Sequence, residues 1–214
     1  GGHESVAFGL AAALVVLARP GAPVTGWRVW AAVAMLAVAG AARAQVAPAV
    51  AVLAISLVVR NRARQWLPLI VLVIASGLVV AFNVMWFGHP LGAVPQLESL
   101  HETVHATSGS FTAPWAGGAG LLLSPNRGLL IFSPIVLVCL AGLWQAMREG
   151  WRGPLIWCVA AAIAQFALYS SYTVWWGGHS YGPRYVIDTL PPLIPIAAAG
   201  VAALISGSSE PSSA

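Results

Sequence analysis

A turn rich in aromatic residues, Gly and cations is the first feature of this sequence that could carry chemistry. Residues 175–185 read WWGGHSYGPRY, which sets His179 and Arg184 among three Gly and one Pro. Gly lets the backbone approach a ligand closely, and an Arg guanidinium can bind two phosphate oxygens at once. An interfacial aromatic belt would explain the paired Trp but not the rest of the turn. We therefore expect this turn to fold against a ligand, with Asp188 as the alternative, purely structural partner of Arg184.

A second polar turn precedes an apolar run. Residues 123–128 read LSPNRG, and residues 132–134 read FSP. A helix that begins near Leu129 would point its positive end at Arg127, which together would make an anion site. The same residues are also ordinary turn formers at a helix N-terminus. The sequence leaves both interpretations open.

Residues 101–105 contain a literal HExxH motif. On a helix, His101 and His105 would share one face with Glu102 between them, as in zinc peptidases. The chain has no further His at the spacing of a third ligand, and its next acid is Glu149. We therefore expect a chance match on a polar surface segment, and we assign no metal ligand.

The composition indicates what must position these turns. The chain has 59% hydrophobic and 7% charged residues, with a mean hydropathy of +0.83. In soluble domains about a quarter of the residues are charged. This chain therefore has too few charged residues to cover a water-facing surface. All ten cationic residues are Arg, and they form no basic stripe for nucleic acid. The two Cys fall inside apolar runs, where a disulfide is not expected.

Seven apolar segments follow one another, separated by short polar breaks and by one long loop over 88–128. They cover approximately residues 5–18, 29–42, 46–59, 66–87, 129–147, 155–176 and 187–206. Several reach the ~20 residues that cross ~30 Å of hydrocarbon. We therefore expect an all-α, polytopic transmembrane helical bundle of about five to seven membrane helices, some of them short or re-entrant. Residues 1–206 form this domain, and residues 207–214 form a disordered tail.

Orientation follows from the positive-inside rule. The cluster Arg60, Arg62 and Arg64 is placed in the cytoplasm, and the later segments then alternate consistently. Seven Arg fall on the inner side, whereas the outer side receives all five His and the remaining cations, Arg43, Arg127 and Arg184. These outer cations break the topological bias, which makes them candidates for function.

Residues 29–59 need a special arrangement. Both flanking loops are basic, so an even number of crossings must separate them. The segment is too long for one span and too short for two full ones, since each half covers only ~20 Å. We therefore predict two short helices that meet near Arg43 on the outer side.

Three motifs, taken in order, resemble a known family. These are NVMWFGHP at 83–90, GLLLSPNRGLLIFSP at 120–134 and WWGGHSYGPRY at 175–185. Together they look like the bacterial relatives of dolichyl-phosphate-mannose protein mannosyltransferases, within the GT-C superfamily. The resemblance covers approximately residues 80–195.

The resemblance implies a hexosyltransferase that uses a polyprenyl-phosphate-linked sugar on the extracytoplasmic face. It assigns the lipid phosphate to Arg184 and Arg127, with His179 and Tyr181 beside them, and matches Arg43 more loosely. The general-base acid of the family lies in its first outer loop. We expect that loop upstream of Gly1, so that this chain is a C-terminal piece without its catalytic acid.

The expected partners are membrane lipid and the polyprenyl-phosphate sugar donor, and the expected location is the cell membrane, crossed several times. A divalent metal is the one cofactor left open. Two other function classes remain as alternatives. One is a membrane zinc metallopeptidase that uses His101, Glu102 and His105, and the other is a non-enzymatic transporter or scaffold.

Overall fold

A computed structural model describes most of the chain. It covers residues 2–17, 26–60, 66–90, 92–93, 111, 114–126, 128–148, 154–173, 175 and 185–207. Within these residues the regular secondary structure is helical, and one isolated antiparallel bridge joins Phe111 to Tyr172. The predicted all-α class is confirmed.

The helices follow the apolar runs of the sequence. In chain order they are α1 (Gly2–Leu17), α2 (Trp27–Ala42), α3 (Ala47–Arg60), α4 (Trp66–Phe87), α5 (Pro114–Leu123), α6 (Leu129–Phe132), α7 (Val138–Arg148), α8 (Leu155–Ser170) and α9 (Leu190–Gly207). Short 3-10 turns precede three of them, at Ala44–Val46, Pro134–Leu137 and Val186–Thr189.

The break between α2 and α3 is where the sequence predicts it. Arg43 leaves the helical conformation with φ −156° and ψ 120°, and the chain then re-enters a helix through Ala44–Val46. Pro48 lies in the first turn of α3, where its missing N–H costs nothing. In one continuous helix, Pro48 would instead lose a bond to the Ala44 carbonyl. The prediction of two short helices is confirmed.

A polar contact joins the far ends of α1 and α3. The Arg60 guanidinium donates a hydrogen bond to the Leu17 carbonyl, which lies at the C-terminal end of α1. Such terminal carbonyls have no partner within their own helix, and a cation there also interacts favourably with the negative end of the helix dipole. The two helices therefore end side by side, as the predicted topology requires. We call this the basic end of the bundle.

The helices pack around one main apolar core. Leu10 of α1, Leu36 of α2, Leu53 of α3 and Ile196 of α9 are all buried in it. The contact between α7 and α9 is especially close, because a Cβ on Gly142 would lie 1.9 Å from the Ile196 carbonyl oxygen. Only Gly permits the two backbones to approach in this way.

Three features differ from the sequence-based prediction. Helix α5 lies in the segment that we predicted as a loop over 88–128. The run predicted over 129–147 is interrupted at Ser133, because the residue before a Pro is disfavoured in the α conformation. Helix α8 ends at Ser170, six residues before the predicted boundary at 176.

In the part of the chain that the structure describes, two helical stretches are long and apolar enough to cross a membrane, namely Trp66–Phe87 and Val186–Ile205. The first, α4, exposes large apolar side chains along its whole length, among them Leu67, Val73, Leu78 and Met85. A helix that is apolar all round and this exposed is typical of a membrane span. Four further apolar helices are shorter, with 10 to 17 residues.

Candidate functional site

A buried ion pair lies at the break between α2 and α3. The Arg43 Nη1 atom lies 3.2 Å from Asp188 Oδ2. The carboxylate side chain is fully buried, whereas the guanidinium side chain retains 15% exposure. A buried carboxylate is costly unless it is paired and hydrogen-bonded, so Arg43 is a necessary neighbour of Asp188 in this fold.

A tyrosine hydroxyl completes the surroundings of that oxygen. Tyr169, in the last turn of α8, donates a hydrogen bond of 2.6 Å from its hydroxyl to Asp188 Oδ2. Arg43, Tyr169 and Asp188 therefore form one network, which we call the outer network after the side on which the sequence predicts Arg43. Its members come from the α2–α3 break, from α8 and from the 3-10 turn that leads into α9.

A second bond ties α8 to the break. Gln165 lies one turn before Tyr169, and its Nε2 atom donates to the Gln45 carbonyl at 2.9 Å. Two buried polar atoms nearby, Gln165 Oε1 and Thr189 Oγ1, have no hydrogen-bond partner among the described residues. Both are closed off from solvent, so hydrogen-bonding capacity at this end of the bundle is left unused among the described residues.

An aromatic layer covers one side of the network. The rings of Tyr169 and Tyr185 stack with centroids 5.2 Å apart and planes within 6° of parallel. Tyr172 meets Tyr185 edge-on at 6.1 Å. Tyr185 is the last residue of the WWGGHSYGPRY motif. The stack therefore connects the end of that motif to Tyr169, whose hydroxyl donates to Asp188.

The described parts of the second and third motifs meet at this end. A Cβ on Gly120, which begins the second motif, would lie 2.2 Å from the Trp175 ring, which begins the third. Leu121 and Leu129 of the second motif are buried in a cluster with Tyr169 and Val186, and Trp175 and Tyr185 pack against it. Segments about fifty residues apart in the sequence thus converge beside the outer network.

Of the site residues predicted from sequence, the structure describes Arg43. Arg127, His179, Tyr181 and Arg184 lie outside the described residues, as do His101, Glu102 and His105. Asp188, the local alternative partner of Arg184, is paired with Arg43. Within the described part of the chain, no three His, Cys, Asp or Glu side chains come together as a metal site would require.

Sequence reasoning missed the roles of Tyr169 and Gln165. Both are polar residues in an otherwise apolar run, four positions apart and thus on one helix face. That spacing is a usable signal for a buried polar contact in a membrane helix. Asn83 has such a position too, but its Nδ2 atom donates to the Pro90 carbonyl at 3.1 Å. This bond joins the end of α4 to the turn that follows it and does not link two helices.

In comparisons with known proteins, no family model, curated protein or solved structure matches the chain.

Proposed function

We propose that this chain is a polytopic membrane protein of GT-C type that acts on a polyprenyl-phosphate-linked sugar at the outer face of the cell membrane. The observation that carries the proposal is the convergence of the second and third motifs beside the outer network. The two motifs begin 55 residues apart in the sequence, at Gly120 and Trp175. Their described ends nevertheless pack together at one end of the bundle.

The lengths of the helices support the multi-pass arrangement that we propose. The two long apolar stretches have the length of full spans. Helices α2 and α3 have 16 and 14 residues, which corresponds to about 24 and 21 Å. In our proposal they form a short hairpin whose turn faces the outer side, where Ala44 is exposed and Arg43 is held against the bundle by Asp188.

The chemistry of the proposed donor fits the residues of the motifs. Transfer of the sugar leaves a lipid phosphate, whose developing charge needs cations at the headgroup level. We assign that role to Arg184 and Arg127, with His179 and Tyr181 as further hydrogen-bonding groups. Asp188 is ill suited to act as the general base, because its carboxylate is buried and already neutralised by Arg43.

Binding of a polyprenyl lipid by the reconstituted protein tests the proposal. The full chain is reconstituted into phosphatidylcholine vesicles that contain a photoreactive analogue of either a long-chain polyprenyl monophosphate or the matching uncharged polyprenol, and the lipid crosslinked to the protein is quantified. We expect binding to the phosphate alone, and we expect Arg184→Ala to weaken it about 10-fold to 100-fold, the cost of losing one charged hydrogen-bond donor.

Arg148→Ala is the matched control. Arg148 ends α7, is exposed and lies over the Trp144 ring at 5.4 Å, and the predicted topology puts it on the inner side. Its removal should leave binding unchanged. Equal binding of the phosphate and the alcohol, or equal losses in both Arg variants, would reject the proposed donor site.

A further inference from the structure

We infer that Arg43 is a positioning residue, which joins the α2–α3 break to the turn before α9, and that it is not itself a ligand of the lipid phosphate. This inference rests on the proposed function for the identity of the ligand. It separates Arg43 from Arg127 and Arg184, with which the sequence grouped it.

Charge is the first argument. The Arg43 guanidinium lies against a fully buried carboxylate at 3.2 Å, so the pair as a whole is close to neutral. A phosphate at Arg43 would have to approach the buried Asp188 charge or displace it, and like charges at short range repel. An unpaired Asp188 in this interior would be more costly still. Arg43 is therefore a weak anchor for a second anion.

Connectivity is the second argument. Asp188 Oδ2 receives the Tyr169 hydroxyl as well as Arg43, so one oxygen joins the break, α8 and the turn before α9. Tyr169 in turn stacks on Tyr185, the residue that follows Arg184 in the sequence. Loss of the Arg43 contact should thus be transmitted to the end of the third motif, and through it to the proposed phosphate site.

A pair of compensating substitutions distinguishes the two roles. Arg43→Gln alone leaves Asp188 buried without its cation, and we expect Tm in detergent to fall by about 10 °C. Binding to the polyprenyl phosphate should fall about tenfold, the scale seen when groups that orient a binding residue are lost. The double variant Arg43→Gln/Asp188→Asn replaces the ion pair by two neutral amides, which such sites commonly tolerate. It should restore both Tm and binding.

The control is Ser170→Ala, which removes a buried hydroxyl that donates within its own helix, to the Phe166 carbonyl. It should leave binding unchanged. A double variant that recovers Tm but not binding would make Arg43 a direct ligand and overturn the inference. So would an Arg43→Gln variant with unchanged Tm.

Failure of the proposed function is visible separately. If the unmodified chain does not distinguish polyprenyl phosphate from polyprenol, the donor assignment fails. The Tm values of Arg43→Gln, of Asp188→Asn alone and of the double variant then decide whether Arg43 and Asp188 stabilise the fold as a pair. Non-additive losses support it, and additive losses contradict it.

Discussion

Two arginines lie at the C-terminal ends of α2 and α3, and they bind different kinds of partner. Arg60 lies at the basic end, where it donates to a backbone carbonyl at the end of α1. Arg43 lies at the break, where it faces a fully buried carboxylate that also holds a tyrosine hydroxyl. Both acceptors lie on buried residues, with Leu17 at 3% and Asp188 at 0% exposure, but a neutral carbonyl left without a partner costs less than a carboxylate left without one. The same residue type therefore closes a helix at one end and makes a network possible at the other.

This comparison predicts the larger loss at the network end. Tyr169→Phe keeps the ring that stacks on Tyr185 and removes only the hydroxyl that donates to Asp188. We expect the free energy of unfolding to fall by about 2 kcal/mol, the usual cost of a hydrogen bond to a charged group. Denaturation in detergent micelles measures it. A change within the error of the control Ser171→Ala, whose hydroxyl donates to the Ala167 carbonyl on the exterior of α8, would show that the network adds no stability.

The smaller loss is expected at the basic end. Arg60→Met keeps most of the apolar stem and removes the guanidinium that reaches Leu17. Because the group left without a partner is a neutral carbonyl and not a charge, we expect a loss of about 1 kcal/mol. The same denaturation assay applies. A loss greater than that of Tyr169→Phe would reverse the proposed order of the two ends.

Much of the fold follows from the sequence, because apolar runs of this length have few alternatives to helices. The break at Arg43 was predictable for a stronger reason: two basic flanks require an even number of crossings. Helix α5 was not predictable in this way, since residues 114–123 are short and contain three Gly. Those Gly allow close packing, and a Cβ on Gly117 would lie 2.2 Å from the Ser170 carbonyl oxygen. Tertiary contact with α8 thus accounts for a helix that propensity alone disfavours.

The candidate site was predictable only in part. Arg43 was singled out because it interrupts an apolar segment on the outer side. Its partner was not identified, because the local rule for i,i+4 pairs pointed from Asp188 to Arg184. The pair that forms joins residues from opposite ends of the chain, and sequence spacing carries no information about such a contact. The spacing of Tyr169 from Gln165 marks it as a buried polar residue, but its partner Asp188 could not be identified from the sequence.

We expect the break between α2 and α3 and the basic end of the bundle to lie on opposite faces of the membrane, with the outer network outside. Single cysteines test this arrangement most directly, in a chain whose native Cys139 and Cys158 are replaced by Ala. One cysteine replaces Ala44, which is exposed in the turn of the break, and the other replaces Asn61, directly after Arg60. A membrane-impermeant maleimide added to intact cells should label Ala44→Cys at once and Asn61→Cys only after permeabilisation. Labelling of both positions from the same side would contradict the account.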